Sequence, residues 1–170
     1  DCDDNNPATN PSAYEICDGI DNNCDSQIDD ATALNTTTWY QDADSDGYGS
    51  AANSQVACDA PSNYVENDND CDDSSAAVSP AADEYCDSVD NDCDGSTDES
   101  SALDATSWYA DDDSDGYGSS VLVAVACSQP SGSTDNTSDC DDTSAAINPQ
   151  STETCDGADN DCDGLVDENN

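Results

Sequence analysis

The sequence predicts an elongated, disulfide-stapled repeat protein made mostly of irregular loops, with short β-hairpins and isolated helical turns. Three observations carry that expectation. The chain matches itself at a shift of 69 residues without a gap, its eleven cysteines recur in phase with that shift, and its 42 Asp and Glu face no Lys, Arg or His. A fixed period of this length marks a tandem array whose units contact chiefly their neighbours.

The shift superposes Cys2, Cys71 and Cys140, then Cys17, Cys86 and Cys155, then Cys24, Cys93 and Cys162. It also places Trp39 on Trp108, Gly47 on Gly116, Cys58 on Cys127 and Pro61 on Pro130. Each period divides into an A half, running from DCDD through a DNxCD element, and a B half that opens on Trp-Tyr. The expected units are A at 1–38, B at 39–69, A at 70–107, B at 108–138 and a partial A at 139–170. A strongly acidic chain with no Phe or Met would otherwise read as disordered. Fixed phase of Cys, Trp, Gly and Pro over two periods argues against that. Large apolar side chains are too few for one sizeable core, so staples and ions must hold each unit.

Within a B half, Thr37–Gln41 and Ser54–Cys58 are β-favouring and flank a Gly-rich loop, which predicts a hairpin; the second copy is Thr106–Ala110 with Val121–Cys127. Within an A half, Pro11–Cys17, Pro80–Cys86 and Pro149–Cys155 are each expected to form about one helical turn.

Regularly spaced cysteines point to disulfides and an oxidising, extracellular or cell-surface location. Zinc-type thiolate sites fit poorly, because the usual CxxC pairs and any His are missing. Pairing stays open. Bridges from the B half forward, Cys58 to Cys71 and Cys127 to Cys140, go with Cys17 to Cys24 and leave Cys2 over. Bridges of the type Cys2 to Cys24 send Cys58 toward Cys86 and leave Cys17 over. The odd count is resolved by a neighbouring B half on a longer precursor, a two-fold dimer or a free thiol. The chain opens at Asp1 rather than Met, so a signal peptide, if there was one, is expected to have been removed. No apolar run approaches the roughly 20 residues of a membrane span.

With no cationic side chain, another cation must offset the carboxylates. Two charges about 4 Å apart repel by roughly 1 kcal/mol in water and several-fold more when partly desolvated. Calcium takes six to eight oxygen ligands, and its loops set short carboxylates at alternate positions around a sharp turn. Three A-half loops have that spacing: Asp21, Asn23, Asp25, Gln27 and Asp29; Asp90, Asp92, Asp94, Ser96 and Asp98; Asp159, Asp161, Asp163, Leu165 and Asp167. Gln27, Ser96 and Leu165 are expected to offer backbone carbonyls. The B halves repeat the theme with Asp42, Asp44, Asp46 and Tyr48, and with Asp111, Asp113, Asp115 and Tyr117, the tyrosines again through carbonyls.

None of the five loops has the bidentate Glu of an EF-hand's twelfth position. Missing ligands are expected from the DCDD clusters (Asp1, Asp3, Asp4; Asp70, Asp72, Asp73; Asp139, Asp141, Asp142) and from Glu15, Glu84 and Glu153. Several Ca2+ ions, two or more per repeat, would then join consecutive elements. The expected fold class is thus a small disulfide- and calcium-stabilised repeat. Mg2+ fits worse because it demands a small octahedral shell, and copper or zinc would want nitrogen or sulfur donors.

These motifs resemble the MopE-like metal-binding repeats of secreted bacterial surface proteins, through DCDD, ETCDGADNDCDG at 153–164 and WYADDDSDGYG at 108–118. The loops are also similar to thrombospondin type 3 repeats, in which calcium and disulfides order an irregular chain. The first resemblance implies a surface location and bound metal, with copper for the founding member. Absence of His and Met here carries over calcium instead. Ser26 and Ser88 stand where the pattern has glycine.

Catalysis is not expected: serine has no His or Lys to activate it, no Arg stabilises an oxyanion, and the acids are repeated rather than unique. The charge disfavours nucleic acid and anionic membranes. The expected role is a calcium-rigidified filament, stalk or adhesin that associates with itself. The alternatives are a calcium-buffering or mineral-nucleating secreted protein, or salt-adapted acidity without specific sites. Asn35 and Asn136 open N-glycosylation sequons, so glycans are a further expectation.

Overall fold

A computed structural model describes residues 2, 3 and 5–168. It divides into two compact units, Asp1–Ala82 with Asn91–Gly95, and Asp83–Asp90 with Ser96–Asn170. Each contains one three-stranded antiparallel sheet. In the first, β1 (Thr37–Gln41), β2 (Ser50–Ala57) and β3 (Tyr64–Val65) lie in the order β2-β1-β3; in the second, β4 (Thr106–Ala110), β5 (Leu122–Ala126) and β6 (Ser133–Thr134) lie in the order β5-β4-β6.

The hairpins form where β-branched and aromatic residues predict them. Thr37 pairs with Ala57 and Thr106 with Ala126. The indole of Trp39 donates to the Ala57 carbonyl at 3.2 Å, and that of Trp108 to Ala126 at 3.0 Å. The third strands, β3 and β6, escape the sequence pattern because they are only two residues long. They are placed by a return turn. The Asp42 and Asp111 amides donate to the carbonyls of Asn63 and Gly132, both at positive φ.

Gly49 and Gly118 allow the chain to pass under these strands. A Cβ at Gly118 would sit 2.6 Å from the Asn136 carbonyl, and one at Gly49 2.8 Å from that of Asn67. The same two asparagines clamp the loop. Asn67 accepts from the Gly49 amide and donates to the Gly47 carbonyl, both at 3.0 Å. Asn136 does likewise with Gly118 and Gly116, and its Nδ2 also reaches Thr134 Oγ1. Asn136 is thus a structural brace whose amide a glycan would unseat, and its counterpart Asn67 does the same work outside any sequon. Exposed Asn35 accepts from the Cys17 amide at 2.7 Å, a place that Asp104 takes for Cys86.

Among the described residues there is no helix, which corrects the expectation at Pro11–Cys17, Pro80–Cys86 and Pro149–Cys155. A single turn forms instead, Ala13 amide to Asn10 carbonyl, and the chain then continues without regular secondary structure. The competing bond is specific: the Ile16 amide, which a helix would send back four residues, donates to Asn22 Oδ1 at 3.0 Å, and the Thr154 amide to Asn160 Oδ1 at 2.9 Å.

Apolar burial is slight. Among the described residues only Ala33, Val78 and Ala102 are buried hydrophobics. The interior of an A half is a hydrogen-bonded carboxylate: Glu15, 2 % exposed, accepts from the amides of Asn22 and Asn23 at Oε2 and of Asp29 at Oε1. Glu153 accepts from Asn160 and Asp167 in the same way, and Glu84 from Asp98. Backbone amides supply the positive dipoles that meet these glutamates, and charge-assisted bonds to them are the strong kind.

Five disulfides fasten this frame. Cys2–Cys24, Cys71–Cys93 and Cys140–Cys162 close 22-residue separations, and Cys17–Cys58 and Cys86–Cys127 close 41-residue ones. Each such closure stabilises by about 3–4 kcal/mol through the unfolded chain. The B cysteine therefore bridges back to its own A half rather than forward to DCDD or to the next repeat. Cys155, not Cys2 or Cys17, is left over. Ser26 and Ser88 adopt the left-handed conformation of the glycines they replace, with φ of 75° and 68°, at a cost of about 1 kcal/mol each.

Alkylation of the unfolded but unreduced chain is expected to label one cysteine, and proteolytic mapping to find the label on Cys155. Label on Cys2 or Cys17 would contradict this connectivity.

Candidate metal centres

The acidic loops share one local design. The first aspartate turns back on the loop and accepts its amides: Asp21 from Asp25 and Ser26, Asp159 from Asp163 and Gly164, Asp111 from Asp115 and Gly116, Asp42 from Ser45 and Gly47. Later carboxylates each accept the amide two residues on, at 2.8–2.9 Å: Asp25 from Gln27, Asp46 from Tyr48, Asp115 from Tyr117 and Asp163 from Leu165. Asn23, Asp44, Asp92, Asp113 and Asp161 likewise accept the amides of Asp25, Asp46, Asp94, Asp115 and Asp163. These bonds curl the loop, and in the B loops they leave the second oxygens of Asp44, Asp46 and Asp113 buried. The middle A loop is cut by the division between units, with Asp90, Ser96 and Asp98 in the second unit and Asp92 and Asp94 in the first.

In the first B half, carboxylate oxygens of Asp42, Asp44 and Asp73 lie within 4.8 Å of one another, and so do those of Asp44, Asp46 and Asp70. Five acids thus converge, three from the loop and two from the DCDD cluster that follows it. Two backbone contacts bring them together: the Asp70 amide donates to the Gly49 carbonyl at 3.1 Å, and Asp73 accepts from the Ala43 amide at 2.6 Å. Asp70 is 7 % exposed. The second oxygens of Asp44, Asp46 and Asp70 are buried and accept no hydrogen bond. Such oxygens are costly to bury unless a cation meets them.

In the second B half Asp111, Asp115 and Asp142 lie close enough to Asp113, and Asp113, Asp115 and Asp142 close enough to Asp139, for their charges to act on those carboxyls. Asp139 donates its amide to Gly118, and Asp142 accepts from Asp112 at 2.9 Å. Asp113 and Asp139 keep buried oxygens without hydrogen bonds. One difference separates the two: Asn148 Nδ2 reaches Asp115 Oδ2 at 2.8 Å, whereas the matching residue of the first repeat is the shorter Ser79.

The third residue of each DCDD turns away. Asp72 accepts from the amide and hydroxyl of Ser74, Asp141 from those of Thr143, and Asp3 from the Asn5 amide. Asp1 and Asp4 lie outside the described residues.

In the A loops the ninth residue also points elsewhere. Asp29 Oδ1 accepts from Asp18 and Gly19, Asp98 from Ser88 and Asp167 from Gly157. In the third repeat the residue that turns to the loop is the tenth, Glu168. Its carboxyl is held down by its own backbone amide, but burial and the charges of Asp163, Glu153 and Asp161 outweigh that and push it above the usual value. Sequence reasoning missed Glu168, its repeat equivalent Glu99 and the buried Asn22, Asn91 and Asn160. The recurring Glu-to-Asn spacing of seven and the DE ending were the available signals.

The sequence model of the Cu-binding MopE family, described as "Putative metal-binding motif", matches residues 1–30, 70–99 and 139–168, together just over half of the chain. The chain belongs to that family. The MopE motif thus spans each A half from DCDD to the tenth loop residue, and the B loops lie outside it. The DCDD aspartates that enter the B clusters, Asp70, Asp73, Asp139 and Asp142, are nevertheless part of the motif. No curated protein and no solved structure matches the chain.

Electrostatics give the clusters a testable signature. Burial raises the carboxyls of Asp70 and Asp139, against the pull of an amide bond, and neighbouring acids raise them further; Asp113 is raised by burial and by Asp115, Asp111 and Asp142. Each binds its proton more tightly folded than unfolded, so in metal-depleted protein their contribution to stability is full in acid and is lost as pH climbs above the ordinary 3.8 through the raised values. Asp30, held down by Thr32, and Asp156, held down by the Ala158 amide, oppose this only below 3.8. Melting of the metal-depleted, disulfide-intact chain is therefore expected at higher temperature near about pH 4.5 than near about pH 7.5 at fixed ionic strength. The opposite order would contradict the cluster geometry.

Proposed function

We propose that this is an extracellular calcium-binding structural protein, a segment or subunit of a surface filament, stalk or adhesin rigidified by Ca2+ and disulfides. The observation that carries the reading is the convergence of Asp44, Asp46 and Asp70, with buried oxygens that meet no donor, in a chain that has no cationic side chain to offer them.

The donor set argues for a hard cation. Every candidate ligand is an oxygen, and ten of the eleven cysteines are bridged, which leaves no thiolate or imidazole cluster for copper or zinc. Copper in the family's name therefore does not transfer to these residues. Loops of several carboxylates on a flexible backbone fit the large, adaptable shell of calcium better than the tight octahedron of Mg2+. Asp42, Asp44, Asp46, Asp70 and Asp73 would hold an ion in the first B half, and Asp111, Asp113, Asp115, Asp139 and Asp142 in the second. Bound calcium would cancel the mutual repulsion and tie each B loop to the DCDD element after it, so ion binding and ordering become one event.

Disulfides persist in oxidising surroundings, which supports an extracellular or surface location. A repeat with little apolar core and many ion-dependent joints suits a mechanical element better than an enzyme, and no cluster among the described residues has the acid, base and nucleophile of a catalytic site. Self-association is part of the proposal.

Two measurements test it. Electron microscopy of the protein with calcium is expected to show ordered fibres that fray on chelation, and monomers in both conditions would favour a calcium buffer instead. Titration calorimetry is expected to show saturable calcium binding, with Asp70→Asn weakening the affected site by about ten-fold or more through loss of a buried charged ligand. An unchanged isotherm for Asp70→Asn would remove that residue from the site.

A further inference from the structure

The two sheets are built alike, yet their outer strands differ in one respect that the fold does not require. Strand β5 lies at the edge of its sheet, and Val121, Leu122, Val123 and Val125 on and beside it are 60 %, 54 %, 49 % and 37 % exposed. In the first repeat the positions of Val121, Leu122 and Val123 are held by Ala52, Asn53 and Ser54, all within β2. The apolar residues are therefore not needed to make the strand. An exposed apolar edge without Lys, Pro or any charge is a template for strand pairing, and soluble proteins ordinarily blunt such edges.

Charge selects the occupant. Residues 116–134 form a stretch of 19 without a charged side chain, in a molecule of net charge −42. A cationic partner would be drawn to the carboxylate loops, not to this strand. Two copies of the chain repel wherever acidic loops meet, but along β5 an uncharged strand can face an uncharged strand. Orientation follows from the same argument. Parallel pairing would set the two 111–115 loops side by side. Antiparallel pairing about a two-fold axis sets each loop beside the partner's Cys127–Gly132 segment, which carries no charge.

We propose that β5 is a self-association edge, at which two copies of this chain pair antiparallel into one continuous sheet. The contact is small, so the association is reversible and concentration-dependent. It gives the assembly proposed above one defined joint and rests on that reading for its role. Loss of calcium binding would sink that reading without touching this contact, because β5 contains no carboxylate.

The test is sedimentation equilibrium of the full calcium-loaded chain, up to about millimolar, in a Cys155→Ser background that removes covalent dimers. The unsubstituted strand is expected to give a reversible dimer. The swap Val121→Ala, Leu122→Asn and Val123→Ser installs residues already compatible with the equivalent strand, and it is expected to weaken the dimer at least about ten-fold, since these exposed side chains carry the apolar contact. The reverse swap, Ala52→Val, Asn53→Leu and Ser54→Val, creates a second such edge and is expected to give oligomers longer than dimers. A parent chain that stays monomeric throughout, or a dimer that survives the first swap unchanged, would overturn the proposal. Tryptophan circular dichroism of each variant checks that the hairpin has formed.

Discussion

The constraint on which everything else depends is the lack of any cationic side chain in a chain with 42 acids. Salt bridges between side chains are impossible, so each buried carboxylate must be met by a neutral hydrogen-bond donor, chiefly a backbone amide, or by an external ion. The central glutamates of the A halves take the first course. Glu15, Glu84 and Glu153 are wrapped by amides and serve in place of an apolar core. The B clusters take it only halfway: Asp44, Asp46, Asp70, Asp113 and Asp139 each have one oxygen bonded to an amide and the other buried without a donor. That difference separates acids that organise the backbone from acids arranged to receive a cation.

Disulfides and hydrogen bonds divide the remaining work. The 22-residue bridges pin each DCDD element to the loop that follows it, and the 41-residue bridges pin each hairpin to the A half before it. DCDD also contacts the preceding B loop through Asp70 with Gly49 and Asp73 with Ala43. One short motif therefore has two partners: its cysteine faces its own repeat while its first and fourth aspartates face the hairpin before it. Asparagine completes the frame, with Asn22 and Asn160 redirecting amides away from a helix and Asn67 and Asn136 holding the glycine loop closed.

Much of this was legible in the sequence because it is periodic and local. The 69-residue shift, the hairpins around Trp39 and Trp108 and the alternating aspartates all follow from residue type and spacing. What was not legible depends on long-range placement. Spacing could not say that Cys58 returns to Cys17, or that Asp29 and Asp167 swing out to cap another turn while Glu168 swings in. The helical turns were misjudged for a related reason. Local propensity was overridden by a side chain six residues away, Asn22 on Ile16, and single-residue patterns do not encode that competition.

The central claim is that a specific divalent cation replaces the missing salt bridges. Its most direct test is near-ultraviolet circular dichroism of Trp39 and Trp108, followed while free calcium is raised at constant ionic strength. The account predicts a saturable ordering transition driven by calcium and not reproduced by sodium chloride. A signal indifferent to calcium, or one restored equally by sodium at high concentration, would contradict it.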